Sequence, residues 1–173
     1  VQRIHQEDLC QATGTLPDKK YEADGGPSLR DVADILSAAA APDSLGTLLR
    51  AVTVNVLVGN GDAHAKNFSL LHQASGALTL CPLYDLLCTL HYGDDRLAMY
   101  VDNVHRTNRV TRARVINEAM PWGMSRARAS AIVDDIIERA PGAIAAAQDE
   151  TPELPDSLVA TVHTQLENLT NAN

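Results

Sequence analysis

One run of sequence constrains the fold more than any other. Between residues 45 and 57 the apolar residues Leu45, Leu48, Leu49, Val52, Val54, Val56 and Leu57 are spread around most of a helical circumference. A helix that is apolar on nearly all sides must be buried on nearly all sides. The chain is therefore expected to wrap around a central helix that opens at Asp43 or Ser44. That helix ends at Gly59-Asn60-Gly61, a sharp turn. A core helix that stops at a glycine-flanked polar cluster delivers its polar groups to a cleft. Composition agrees with a helical scaffold. Aromatic residues are only 3% while Ala and Leu abound, and aromatic and β-branched residues are what build sheets. At 173 residues the chain is read as one domain spanning 1–173.

The remaining elements follow from periodicity and punctuation. Residues 1–4 read as the tail of a strand or a linker. Residues 5–13 read as a short helix stopped by Gly14, with Glu7 and Asp8 as first-turn charges favoured by the helix dipole. A loop over 15–27 contains the turn Asp24-Gly25-Gly26-Pro27. This is not a nucleotide loop, because it lacks the Gly-x-x-x-x-Gly-Lys pattern. Ser28 caps the next helix, with Asp31 at the third position in a capping-box arrangement, and Leu29, Val32, Ile35 and Leu36 form its apolar stripe. Two short strands, 68–72 and 78–81, join through a loop with Gly76, and 83–100 alternates strand-like and loop-like patches. Helices are expected over 111–120 and 125–140, with Pro141 breaking or kinking the second. A last helix runs from residue 155 or 156 to Leu169.

Charge narrows the function classes. The net charge of −8 sets the domain against nucleic-acid phosphates, so DNA or RNA binding of its own is not expected. Arg106, Arg109, Arg112 and Arg114 form a local basic patch that reads as a solvated face. No apolar stretch is long enough to span a membrane. Three cysteines without ligand spacing (Cys10, Cys81, Cys88) argue against both a disulfide framework and a zinc site, and for a reducing cytoplasm. With Val at position 1, the chain is expected to begin inside a longer protein.

The chemistry concentrates in Gly59-Asn60-Gly61-Asp62-Ala63-His64-Ala65-Lys66-Asn67. Asp62 and Asn67 lie five residues apart across a loop. Phosphoryl-transfer catalytic loops use that spacing, with the aspartate orienting the attacking hydroxyl and the asparagine binding Mg²⁺. His64 and Lys66 between them can contact transferring phosphate oxygens. A second oxygen ligand is needed, as a hard cation demands. Asp85, in Pro82-Leu83-Tyr84-Asp85 just past the expected hairpin, is the natural choice. The order of base, amide ligand, hairpin and carboxylate ligand follows the logic of a kinase C-terminal lobe.

Four ordered segments make the resemblance specific: residues 6–12 (Gln-Glu-Asp-Leu-Cys-Gln-Ala), residues 20–27 (Lys-Tyr-Glu-Ala-Asp-Gly-Gly-Pro), the 59–67 run, and residues 82–85. Together they resemble the C-terminal lobe of HipA-type kinases, the serine/threonine kinases of bacterial toxin–antitoxin systems, over roughly residues 3–140. The resemblance implies a mainly α fold, the helical lobe of a protein-kinase-like structure with a short β-hairpin at the active site. It implies Asp62 as catalytic base, Asn67 and Asp85 as Mg²⁺ ligands, and His64, Lys66 and Tyr84 on the ATP side. By the same resemblance the cofactors are Mg²⁺ and ATP, and the substrate is a translation component such as an aminoacyl-tRNA synthetase. The partner is a HipB-like helix-turn-helix antitoxin through which any DNA contact is made. The phosphate loop, nucleotide-binding lysine and hinge of such kinases belong to an N-terminal lobe outside this chain. The fragment alone is thus expected to be inactive.

Two other classes fit the same residues. Gly61-Asp62-Ala63-His64 with Asn67 also suits a small-molecule phosphotransferase of the aminoglycoside- or choline-kinase kind, although the Lys-Tyr-x-x-Asp-Gly-Gly segment favours the protein kinase. The chain could also be a non-catalytic antitoxin-binding module. A metallophosphatase would need additional His and Asp clusters that the sequence lacks.

Overall fold

The computed structural model describes residues 3–39 and 43–171. The central helix is α3, Ser44–Val58; before it come strand β1 (His5–Asp8), the one-turn helix α1 (Leu9–Ala12) and α2 (Leu29–Ala39). After it come β2 (Ser69–His72), β3 (Leu78–Leu80), β4 (Arg96–Val101), β5 (Val104–Arg106), α4 (Arg112–Ala119), α5 (Arg126–Glu150) and α6 (Asp156–Thr170).

As its sequence requires, α3 is the hub. Leu48, Leu49, Ala51, Val52, Val56 and Leu57 are all buried, in one core with Leu29, Val32 and Leu36 of α2 and Ala129, Ile132 and Val133 of α5. Each fully buried Leu contributes about 1.5–3 kcal/mol relative to an exposed one. Thr53 and Asn55, two polar residues of α3, are buried with it. Thr53 folds its hydroxyl back to the Leu49 carbonyl at 2.7 Å and Asn55 donates to the Ala51 carbonyl at 2.9 Å. On α6 the fully buried Gln165 donates to the carbonyls of Val56 and Thr107, at 3.1 and 3.2 Å, fastening α6 beneath the end of α3. Ser28 and Asp31 cap α2 reciprocally. The Asp31 carboxylate accepts from the Ser28 backbone N–H at 2.8 Å, and the Ser28 hydroxyl accepts from the Asp31 N–H at 3.2 Å.

The N-terminal segment departs from the helix expected over 5–13. Residues 5–8 are an extended strand, antiparallel to β2, with His5 opposite His72 and Asp8 opposite Ser69. The helix starts only at Leu9, because Asp8 is its N-cap. The Asp8 carboxylate accepts from the Gln11 N–H at 2.9 Å, and the Gln11 side chain accepts from the Asp8 N–H at 3.0 Å. That reciprocal box fixes the boundary. His5 and Glu7 are thus sheet residues, and Glu7 pairs with His72 at 3.2 Å across the strands. Of residues 1–4, positions 1 and 2 lie outside the described residues, and Arg3 and Ile4 precede the strand without regular structure. The three-stranded sheet has the order β1-β2-β3, all antiparallel.

β4 and β5 form a second hairpin closed by Asp102-Asn103, both at positive φ (47° and 60°), with Val101 opposite Val104. Short polar residues tolerate this left-handed pair, the two-residue turn that matches strand twist. The expected break at Pro141 also differs. α5 runs through it to Glu150. Pro141 is exposed and removes one backbone donor, and the Ala-rich stretch beyond it favours continuation. Three of the four arginines of the basic patch are paired within the chain: Arg106 with Asp95, Arg112 with Asp134 and Arg114 with Asp102.

Candidate active site

α3 ends at Gly59, whose left-handed backbone (φ 75°) reverses the chain and leads directly into the polar loop. Asn60 then acts as a buried spacer. Its side-chain amide donates to Asn55 Oδ1 at 2.7 Å and to the Asp85 carbonyl at 3.3 Å, while its Oδ1 accepts from the Asp62 N–H at 3.2 Å. One 2%-exposed side chain thus ties the end of the core helix to the backbone of both acidic residues. Gly61 is packed against β4: its N–H reaches the Thr89 hydroxyl at 2.8 Å and its carbonyl accepts from the Ala98 N–H at 2.7 Å. A Cβ there would run into the Arg96 carbonyl oxygen.

The expected site residues fall in one neighbourhood. Asn67, 7% exposed, donates from Nδ2 to Asp85 Oδ2 at 2.7 Å, and its Oδ1 accepts from the His64 N–H at 3.1 Å. Asp85 is exposed and sits at φ 57°, in the left-handed region that a non-glycine residue enters at a cost. Asp62 is half-buried, and its carboxylate makes no hydrogen bond or ion pair among the described residues. His64, 6% exposed, lies close enough to feel the charges of Lys20, Asp62 and Asp85. Burial first, and then the Lys20 ammonium, push its imidazole below the usual range, against the opposing pull of the two aspartates. Lys66 is half-buried, with no hydrogen bond or ion pair for its ammonium among the described residues. Tyr84 spends its hydroxyl on the protein, donating to the Lys66 carbonyl at 2.6 Å with Ser69 Oγ at 2.5 Å. Burial raises that phenol above its ordinary value.

Two residues acquire a place here that the sequence did not give them. Asn60 reads in sequence as part of a glycine turn, and its spanning role is a tertiary fact. Lys20 belongs to the segment of residues 20–27, yet its Nζ lies 2.7 Å from His64 Nε2. The signal was present, since a polar residue between two glycines directly after a core helix seldom lacks a partner.

The arrangement is an unencumbered carboxylate, an amide and a second carboxylate in contact, and cationic or imidazole groups between them. Residues 1–144 match the family model of the HipA-like C-terminal domain. The chain belongs to this family. This HipA-like C-terminal domain is 33% identical to the serine/threonine-protein kinase toxin HipA of Shewanella oneidensis, over 96% of this chain and 42% of that protein. It is 50% identical over 97 residues to Y4mE of Sinorhizobium fredii, named as a candidate kinase, covering 54% of this chain and 23% of that one. Among solved structures it matches the complex of HipA, HipB and operator DNA from Shewanella oneidensis MR-1. The TM-score is 0.82 at 29% identity, over 95% of this chain and 42% of the matched one. The HipA-like domain therefore spans less than half the length of these relatives. Its fold is the mainly helical C-terminal lobe of a kinase-like structure, and no helix among the described residues is long and apolar enough to cross a membrane.

Proposed function

We propose that this chain is the catalytic helical lobe of a HipA-type toxin that, in the whole protein, transfers the γ-phosphoryl of Mg²⁺–ATP to a serine or threonine of a cytoplasmic translation component, such as an aminoacyl-tRNA synthetase. The observation that carries the reading is the 2.7 Å contact between Asn67 and Asp85, 18 residues apart, around a His64 that feels both Asp85 and Asp62, whose carboxylate has no hydrogen bond or ion pair among the described residues. Two turn-forming residues have no structural need to meet in this way.

The donor set suits magnesium. Asp85 is an exposed carboxylate whose Oδ1 makes no hydrogen bond among the described residues, and Asn67, which meets it through Nδ2 and keeps Oδ1 on the His64 N–H, would join it as an oxygen ligand once its amide turns. When bound, the ion neutralises charge on the phosphate oxygens. Asp62 orients the attacking hydroxyl and receives its proton at a carboxylate oxygen without a hydrogen bond or ion pair among the described residues. Lys66 stands where positive charge steadies the phosphate oxygens, while His64, with Nε2 against Lys20 and Nδ1 buried, shapes the loop between Asp62 and Asn67. Tyr84, with its hydroxyl engaged, holds the 66–69 and 81–85 backbones together and leaves only its ring for the nucleotide. By family, a HipB-like helix-turn-helix antitoxin restrains the kinase and makes the DNA contact. That division fits an acidic lobe whose Arg106, Arg112 and Arg114 are each paired with an aspartate of the same chain.

The test is phosphoryl transfer by the full-length protein to a purified synthetase. Asp62→Ala should lower the rate by about a thousandfold or more, as loss of a catalytic base in a kinase does. Asp85→Asn should weaken Mg²⁺–ATP binding, read by calorimetry, while leaving the melting temperature near wild type. Retained transfer by Asp62→Ala removes the base. Transfer to aminoglycoside- or choline-like alcohols instead of protein establishes the small-molecule class.

A further inference from the structure

The segment 16–27 packs against the catalytic loop through one polar contact that the proposed chemistry has not used. Lys20 Nζ lies 2.7 Å from His64 Nε2 and 4.8 Å above the Tyr21 ring, which meets the His64 imidazole in a T-shaped pair at 5.7 Å between centroids. Among the described residues Lys20 has no carboxylate partner. An ammonium can only donate, so His64 Nε2 must accept, and the ring proton resides on Nδ1. That nitrogen is buried and has no hydrogen-bond partner among the described residues. A buried donor without an acceptor is destabilising, so this tautomer has to be held from the other ring nitrogen.

His64 is also the mechanical centre of the loop. Its backbone N–H is shared between the Asp62 carbonyl at 2.8 Å and Asn67 Oδ1 at 3.1 Å. Fixing the imidazole therefore fixes the backbone joining the base to the amide ligand. The segment that presents Lys20 is itself rigid. The Tyr21 carbonyl accepts from both Asp24 and Gly26, at 3.0 and 2.9 Å, and Glu22 accepts from the Tyr100 N–H of β4 at 2.7 Å. A Cβ at Gly26 would collide with the Lys19 and Tyr21 carbonyl oxygens, so the glycine allows this tight closure.

We propose that Lys20 is a positioning residue for phosphoryl transfer: from a rigid neighbouring loop it holds His64 as the Nδ1-protonated imidazole, and through His64 it sets the spacing of Asp62 and Asn67. The proposal rests on the kinase reading. Lys20 acts on the arrangement of the catalytic loop and not on nucleotide affinity, so its loss appears in kcat more than in the KM for ATP.

The experiment compares the full-length wild-type protein with Lys20→Met and Lys20→Arg. Lys20→Met should lower kcat by about a hundredfold, the scale on which small misplacement costs rate, with the KM for ATP changed by less than about threefold. Lys20→Arg, which still donates to Nε2, should recover kcat to within about fivefold of wild type. Long-range ¹H–¹⁵N spectra of histidine-labelled protein should show Nδ1-protonated His64 in the wild type and in Lys20→Arg, and an Nε2-protonated ring in Lys20→Met. An unchanged tautomer in Lys20→Met, or equal losses in the Met and Arg variants, overturns the proposal while the kinase reading stands. A wild-type protein that transfers no phosphoryl to any hydroxyl overturns both.

Discussion

Asn60→Ala separates the contribution of the spacer residue from that of its neighbours. The substitution deletes three hydrogen bonds at once: to Asn55 Oδ1, to the Asp85 carbonyl and from the Asp62 N–H. They are not equal. Asn55 is 7% exposed, so its Oδ1 becomes a buried acceptor with no donor, at a cost of about 1–3 kcal/mol. The Asp62 and Asp85 backbone groups lie at a part-buried edge where water can replace the amide, and each costs about 0.5–1 kcal/mol. The expected loss is about 3 kcal/mol, a large share of a typical domain's stability of about 5–15 kcal/mol. A second variant sharpens the argument. Asn55→Ala removes the orphaned acceptor, and the Asn55 side chain otherwise donates only to a carbonyl of its own helix, at Ala51. The double variant should therefore be more stable than the sum of the single losses predicts, by about 1–2 kcal/mol. The assay is urea unfolding followed by far-UV circular dichroism, with unchanged slopes required for the comparison. A loss below about 1 kcal/mol for Asn60→Ala, or simple additivity in the double variant, refutes the idea that this amide is buried and fully used.

Two further perturbations test the surroundings of the site. Gly61→Ala forces a methyl toward the Arg96 carbonyl oxygen and the Thr89 hydroxyl, so it should lower stability by about 1–3 kcal/mol in a urea melt and displace the loop; a neutral result would show that β4 does not press on Gly61 as described. Glu118 accepts from the Asp102 N–H at 2.6 Å and from Trp122 Nε1 at 3.3 Å, and burial raises its carboxyl above the ordinary value despite those bonds, with Glu22 and Asp102 adding to the rise. An acid with a raised folded-state value binds its proton more tightly when folded. Its contribution is complete below the unfolded value and declines as pH rises through the folded one. The stability of the wild type relative to Glu118→Gln should therefore fall between about pH 4.5 and neutrality, measured by urea melts across that range, and a difference that grows with pH contradicts the burial argument.

The sequence was most informative where local chemistry decides the outcome. α3 was visible because its apolar residues cover most of its circumference, and the start of α2 was visible because Ser28 and Asp31 satisfy each other within three residues. β1 was not legible. His5 to Asp8 are polar and resemble a helix start, and only the pairing with Ser69–His72, more than sixty residues away, makes them a strand. The run through Pro141 was missed for a related reason, since a rule about one lost hydrogen bond was outweighed by the helix-forming residues beyond it. At the site, residue type and spacing picked out Asp62, Asn67 and Asp85, while the connections through Asn60 and Lys20 depend on how distant segments meet.

The cross-connections between 59–67 and 81–85 carry a mechanical consequence. Asn60 grips the Asp85 carbonyl, Asn67 grips its carboxylate, and Tyr84 grips the Lys66 carbonyl. The two segments cannot slide past one another without losing all three bonds. On the proposed kinase reading this lobe is then an anvil: a nucleotide would be clamped by whatever swings toward it, while the groups on this face keep their mutual spacing throughout the stroke.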